Sequence, residues 1–286
     1  MPSRLESVAA KLPGWSPQGS EPKPLAGGIT NRNFLLELKG ERFVLKLDGG
    51  KTAALGIDRR REHRCASIAA RLGVGPEVYR FLPGERSLVT RFIEGTPVSP
   101  KTAKRPAMLK RITASIKRVH GGPRFPGRFS AFETVRAYRR AARRRGVRLP
   151  SELSRAFARM RRIEATLGPC RKPTPCHNDL LAGNFIDDGR VIRILDWEYA
   201  GMGDPYFDLG NLAANLKLGE ASRRRLLEYY EGACRPESLA RLELYRRMSD
   251  LREAMWGFLQ SGLSDIDFDF AGYGAKHLKR FLREAA

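Results

Sequence analysis

Residues 176–208 read CHNDLLAGNFIDDGRVIRILDWEYAGMGDPYFD. Inside this stretch, 185–187 and 191–195 are short β-forming runs on either side of Asp188-Gly189, a dipeptide suited to a tight hairpin turn. The sequence on both sides reads as helix. A lone hairpin set among helices brings together the residues that flank its open end. Those residues are Asn184, just before the first strand, and Asp196, just after the second. Asp179 lies five positions upstream of Asn184, on the segment that enters the hairpin.

The chain around this element divides in two. In the first ninety or so residues, 33–39 and 42–47 read as a hairpin turning at Gly40-Glu41. A helix is expected over 56–72, stopped by Gly73, followed by strands at 78–82 and 87–93. A connection over 90–100 leads into a mainly helical remainder. Helices are expected at 108–120, 131–145, 151–167, 209–218, 222–232, 237–261 and 268–282. Leu209, Leu212, Ala213 and Leu216 follow the i, i+3, i+4, i+7 spacing of a buried helix face. The expected fold is α+β: a small β-rich lobe over 1–92 and a larger helical lobe over 93–286.

An amide oxygen and a carboxylate, brought together as Asn184 and Asp196 are, suit a hard cation such as Mg²⁺. A third group, Asp179, can face the same point and accept a proton from an attacking hydroxyl. That is the equipment of phosphoryl transfer from ATP. The first lobe offers complementary parts. Gly27 and Gly28, followed by Thr30 and Asn31, form a turn whose backbone could approach phosphates. Lys46 in VLKL is either a solvent-facing strand residue or a phosphate ligand held by Glu62 of the following helix. Backbone around Arg91 and Phe92 would be the hinge that meets adenine.

Composition narrows the alternatives. The 286 residues carry 53 Lys plus Arg against 31 Asp plus Glu, a net charge of +22, with arginines densest over 138–148. Such a charge fits a nucleic-acid binder, including a non-catalytic one built on a kinase fold. No aromatic-rich strand, zinc-finger spacing or RNA motif accompanies it, so the basic face is read as solvated and nucleic acid is not expected as a partner. A hydrophobic content of 42% supports a folded core. There is no signal-peptide pattern and no apolar run long enough for a membrane span, and the four cysteines fit no metal or disulfide framework. A cytoplasmic protein with reduced thiols is expected. The sequence is silent on oligomeric state.

The blocks GGITNRNF, FVLKL, REH, LGVGP, CHNDLLAGN, ILDWEYAG, DPYFDLGN and AMWGFLQS resemble the choline/ethanolamine kinase family, within the aminoglycoside-phosphotransferase-like group. The resemblance spans roughly residues 20 to 283. It implies a two-lobed kinase fold with ATP and Mg²⁺ in the cleft and a small cationic alcohol as acceptor, choline or ethanolamine first, thiamine or an aminoglycoside as alternatives. It implies Asp179 as base, Asn184 and Asp196 as metal ligands, and Thr30, Asn31, Lys46, Glu62, Arg91 and Phe92 at the nucleotide. Glu198, Trp256 and Tyr273 would surround the substrate ammonium, with Asp265, Asp267 and Asp269 as nearby acids. Aromatic faces attract a quaternary ammonium that has no N–H to donate. Trp256 equally fits ordinary helix packing, and Asp208 equally fits an N-cap for the helix at Leu209. Leu259 stands where the family often has a second tryptophan.

Overall fold

The computed structural model describes residues 4–16, 21–25 and 31–283. Gly27, Gly28 and Thr30, expected to approach phosphates, lie outside the described residues. After a short helix α1 (Arg4–Ala9), five strands form one antiparallel sheet in the order β1-β2-β3-β5-β4. They are β1 (Lys23–Leu25), β2 (Asn31–Leu38), β3 (Glu41–Asp48), β4 (Val78–Leu82) and β5 (Ser87–Arg91). The β2–β3 hairpin turns at Lys39 and Gly40, one position earlier than the sequence suggests. Both residues have positive φ (52° and 79°), the requirement of the mirror-image turn that matches strand twist. The register pairs Asn31 with Asp48 and Asn33 with Lys46, so the end of the hairpin carries four polar side chains on one face.

Helix α2 (Arg59–Arg71) lies between β3 and β4. It starts three residues later than its hydrophobic pattern suggests, because Thr52–Leu55 form a separate 3-10 turn and Asp58 is the N-cap. The Asp58 carboxylate accepts from Arg60 N at 2.9 Å and Arg61 N at 3.2 Å, satisfying otherwise orphaned helix donors.

The helical lobe follows through β6 (Thr96–Pro97), α3 (Pro100–Ala103), α4 (Pro106–His120), α5 (Ala131–Arg144) and α6 (Leu153–Leu167). Next come β7 (Thr174–Cys176), β8 (Phe185–Asp187), β9 (Ile192–Ile194), β10 (Gly201–Gly203), α7 (Pro205–Asn215), α8 (Glu220–Glu231), α9 (Pro236–Ser261) and α10 (Phe270–Arg283). The β8–β9 hairpin pairs Phe185 with Ile194, and Leu195 N donates to Asn184 O at 2.8 Å, closing its open end. Helix α7 begins at Pro205, not Leu209: Asp204 caps it and Pro205 occupies the first turn, where a missing N–H costs nothing. Asp208 is therefore inside the helix and is no cap.

One apolar cluster joins the lobes, packing Cys65, Ala66 and Leu88 with Leu109, Phe185, Ile194 and Trp197. A second gathers α5, α6, α9 and α10. The 26-residue α9 is the axis of that cluster. It meets α10 where Gly257 and Gly274 face each other. A Cβ on Gly257 would come within 2.8 Å of Phe270 O and 2.9 Å of Gly274 N. Only glycine permits this approach, and it brings Tyr273 beside Trp256. No helix among the described residues is long and apolar enough to cross a membrane.

Candidate active site

A cleft of about 490 Å³ opens between the sheet and the helical lobe. Lys46, Glu62, Asp179, Asn184, Asp196, Glu198, Trp256 and Tyr273 all line it. Two charged groups organise its walls.

The first group is built around Lys46. Its Nζ lies 2.6 Å from Glu62 Oε1, 2.6 Å from Asp196 Oδ1 and 3.2 Å from Glu198 Oε2. Lys46 therefore faces the cleft and not solvent. Burial alone would discharge it, but the Asp196, Glu198 and Glu62 carboxylates keep its pKa above the usual lysine value. Behind it sits Arg59, which the sequence reading did not single out. Its guanidinium donates to Glu62 Oε2 at 2.5 Å, to Glu198 Oε2 at 3.2 Å and to Asp48 Oδ1 at 3.0 Å, and also to Asn31 Oδ1. Asn31 Nδ2 donates in turn to Glu198 Oε2 at 2.8 Å. Glu198 was expected beside a substrate ammonium. Its carboxylate is instead 3% exposed and engaged by Asn31, Lys46 and Arg59. Burial would raise its pKa, but Lys46 and Arg59 overcome that and hold it at about 2.

Asp196 has φ of 64°, in the left-handed region that few non-glycine residues occupy. This turns its carboxylate back towards Lys46. Burial first, and the neighbouring Glu198 charge second, push its pKa up to about 7 against the pull of Lys46. Asn184 Nδ2 donates to Asp179 O at 2.9 Å, which directs Asn184 Oδ1 away from that carbonyl. Glu62, Asp196 and Glu198 have ligand atoms within 4.8 Å of one another. With Asp48, four carboxylates gather around Lys46 and Arg59. Hard oxygen donors in excess of fixed cations are a donor set that fits Mg²⁺.

The second group is built around Asp179. Its loop is held from below by Asp208, which accepts from His177 N at 2.8 Å and Asn178 N at 2.6 Å and lies 3.0 Å from His120 Nε2. His177 Nε2 faces Leu195 O at 2.8 Å, and Asp179 N donates to His177 Nδ1 at 3.2 Å. A carbonyl can only accept, so the proton is on Nε2. Burial, which lowers the pKa of His177, keeps that ring neutral. The Asp179 carboxylate accepts from Arg252 Nη1 at 2.8 Å. The same Nη1 donates to Glu253 Oε1, and the guanidinium lies 4.5 Å over the Tyr199 ring. Burial raises the pKa of Asp179, opposed by Arg252 and assisted by Glu253.

Glu253 leads on to an aromatic corner. Tyr273 Oη donates to Glu253 Oε2 at 2.8 Å, and the Trp256 and Tyr273 rings lie 5.7 Å apart in an edge-to-face arrangement. Phe270 packs on Trp256 at 5.7 Å and Phe268 on Tyr273 at 6.0 Å. Leu259 is wholly enclosed in the helical core. Two of the three expected acids of the following loop have partners elsewhere: Asp265 binds Lys51 at 2.8 Å, and Asp269 accepts from Gly272 N at 2.8 Å. The carboxylate at the aromatic corner is Glu253. Its neighbourhood with the ring was available from spacing, since Glu253 and Trp256 are three positions apart on one helix.

At the hinge, Arg91 N and Phe92 N are already bonded to Glu77 O and Arg42 O, at 2.8 and 2.9 Å. Arg91 and Phe92 both line the cleft, and the Arg91 side chain pairs with Glu41 and Glu77. Ile93, one residue further on, also lines the cleft, and its N–H has no backbone partner among the described residues.

This fold and cleft define a protein-kinase-like phosphotransferase of small molecules. A family described as "Phosphotransferase enzyme family" matches residues 21–248. A crystal structure of a choline/ethanolamine kinase family protein from Mesorhizobium loti is similar with a TM-score of 0.83 and 31% identity, covering 97% of this chain and 92% of that one. The chain belongs to the choline/ethanolamine kinase family of phosphotransferases. "Protein LicA" of Haemophilus influenzae is 28% identical over 221 residues, 74% of this chain. The chain spans only 63% of that relative's length. "Ethanolamine kinase 2" of Mus musculus is 25% identical over 319 aligned residues, covering 99% of this chain and 81% of that one.

Proposed function

We propose that the protein transfers the γ-phosphate of ATP to the hydroxyl of a small amino alcohol, choline or ethanolamine. The observation that carries this reading is the shared guanidinium of Arg252, which joins a carboxylate fit to be the base, Asp179, to a carboxylate set against two aromatic rings, Glu253. A hydroxyl at one end of a short cation would meet Asp179 while the cationic end meets Glu253, Trp256 and Tyr273.

Lys46, oriented by Glu62, binds the phosphates. The Ile93 N–H is the hinge donor for an adenine edge, in place of the occupied Phe92 N–H. Asn184 and Asp196 are the groups that would hold Mg²⁺, which when bound offsets the charge of the phosphate oxygens. Asp179 orients the acceptor hydroxyl and takes its proton, and His177, whose pKa burial lowers, fixes the loop. Glu198 keeps Lys46 and Arg59 in register behind the phosphates and does not touch the acceptor.

The test is ATP turnover against choline, ethanolamine, thiamine and an aminoglycoside, with Mg²⁺ present. The amino alcohols should show the highest kcat/KM. A clear preference for thiamine or an aminoglycoside, or no stimulation by any amino alcohol, would overturn the reading.

A further inference from the structure

The cluster of Asp179, Arg252 and Glu253 holds two carboxylates and one guanidinium. Arg252 is 2% exposed, Asp179 14% and Glu253 7%, so this is a nearly enclosed group with one negative charge in excess. A buried excess charge favours a counter-charge. The surrounding rings are also placed for a cation: Trp256 and Tyr273 lie on the Glu253 side, and Tyr273 Oη is bonded to the carboxylate itself.

The shared nitrogen also sets a length. Asp179 Oδ1 and Glu253 Oε1 accept from the same Arg252 Nη1. Two oxygens bonded to one nitrogen stand at most roughly 5–6 Å apart. A hydroxyl against the first and an ammonium against the second are then separated by a spacer of two or three carbons. Longer chains must fold or lose one contact.

We propose that Glu253 is the residue that selects a singly charged acceptor, and that Arg252 is a positioning residue which fixes the distance between the acceptor's cationic centre and its hydroxyl. This rests on the kinase reading above, and it extends it to a rule for charge and length. Arg252 touches neither end of the acceptor. It holds the two carboxylates that do.

The probes are amino alcohols with two-, three-, four- and five-carbon spacers, choline, and the neutral carbon isostere of choline, in which a quaternary carbon replaces the nitrogen. Steady-state kcat/KM is measured for the wild type, Glu253→Gln, Glu253→Asp, Arg252→Lys and Glu198→Gln, with the KM for ATP alongside. Removing a charged partner changes selectivity by about 10- to 100-fold. Glu253→Gln should therefore bring the choline-to-isostere ratio down by that factor and leave the KM for ATP in place. Glu253→Asp should restore part of the ratio, and Glu198→Gln should leave it unchanged. Arg252→Lys should flatten the dependence on spacer length, which in the wild type should fall about tenfold or more between three and five carbons. An unaltered charge ratio in Glu253→Gln, or equal use of two- and five-carbon alcohols by the wild type, would overturn the proposal. Calorimetric binding of choline and its isostere is measured in parallel. If no alcohol is phosphorylated, the kinase reading falls, and the binding ratio in wild type and Glu253→Gln still decides the role of Glu253.

Discussion

Arg252 reaches across 73 positions of sequence to donate to the Asp179 carboxylate at 2.8 Å. The bond orients the carboxylate and opposes the rise in pKa that burial imposes. A base of this kind contributes about 10²–10⁴ to the rate. Asp179→Asn keeps the shape and removes the proton acceptor, so turnover should fall by that factor. Nucleotide affinity, measured by calorimetry, should change little. Full turnover in this variant would remove Asp179 from the mechanism.

Asp196 lines the same cleft, 2.6 Å from Lys46. Asp196→Ala should weaken metal–nucleotide binding together with the rate. The Mg²⁺ concentration giving half-maximal turnover should rise by about tenfold or more. A wild-type Mg²⁺ titration curve in the variant would exclude Asp196 as a metal ligand.

Arg59 compensates Asp48, Glu62 and Glu198 at once. Arg59→Met would leave buried carboxylates without their shared partner, a change that typically costs about 3–5 kcal/mol. Urea unfolding should show a loss of that order, and pairing the change with Glu198→Gln should recover part of it. An undiminished midpoint in the single variant would mean that the network carries little of the stability.

Asp188 ties the turn of the β8–β9 hairpin, accepting from Arg190 N at 2.9 Å, Val191 N at 2.6 Å and Arg193 Nε at 2.5 Å. Burial would raise its pKa, but the Val191 amide, Arg193 and the Arg190 amide hold it at about 2. An acid whose folded pKa is depressed stabilises the fold above its unfolded value, about 4, and that contribution disappears as pH falls through 2. Asp188→Asn should therefore cost about 1–2 kcal/mol at pH 7. Urea unfolding of both proteins between pH 7 and pH 3 should show the gap narrowing. A gap that is constant with pH would mean that the carboxylate charge does not hold the turn.

Leu259 is wholly enclosed and does not line the cleft. Leu259→Trp should overpack the core, costing about 1–3 kcal/mol, with no gain in choline affinity. Tighter choline binding in this variant would show instead that the position faces the acceptor.

What the sequence revealed of this site was mostly local. Asn184 and Asp196 could be placed together because a two-strand hairpin joins them and its turn is written in Asp188-Gly189. Lys46 and Glu62 needed a family resemblance, since a lysine in a strand does not announce which face it takes. Arg59, Arg252 and Glu253 were passed over because each finds its partners through tertiary packing. The engagement of Glu198 by Asn31, Lys46 and Arg59 was missed for the same reason: sequence adjacency to Asp196 does not fix where the side chain points. The start of α7 was missed at Asp204-Pro205, where an N-cap residue followed by proline was a legible helix signal.

The Lys46–Glu62 contact is closed from both sides, since Arg59 grips the second oxygen of Glu62 from behind. In kinases governed by a swinging helix, separation of the equivalent pair switches the enzyme off. Here such a swing would strand Asp48 and Glu198 along with Glu62. Displacing α2 is therefore costly, and on the kinase reading proposed above control falls outside this ion pair.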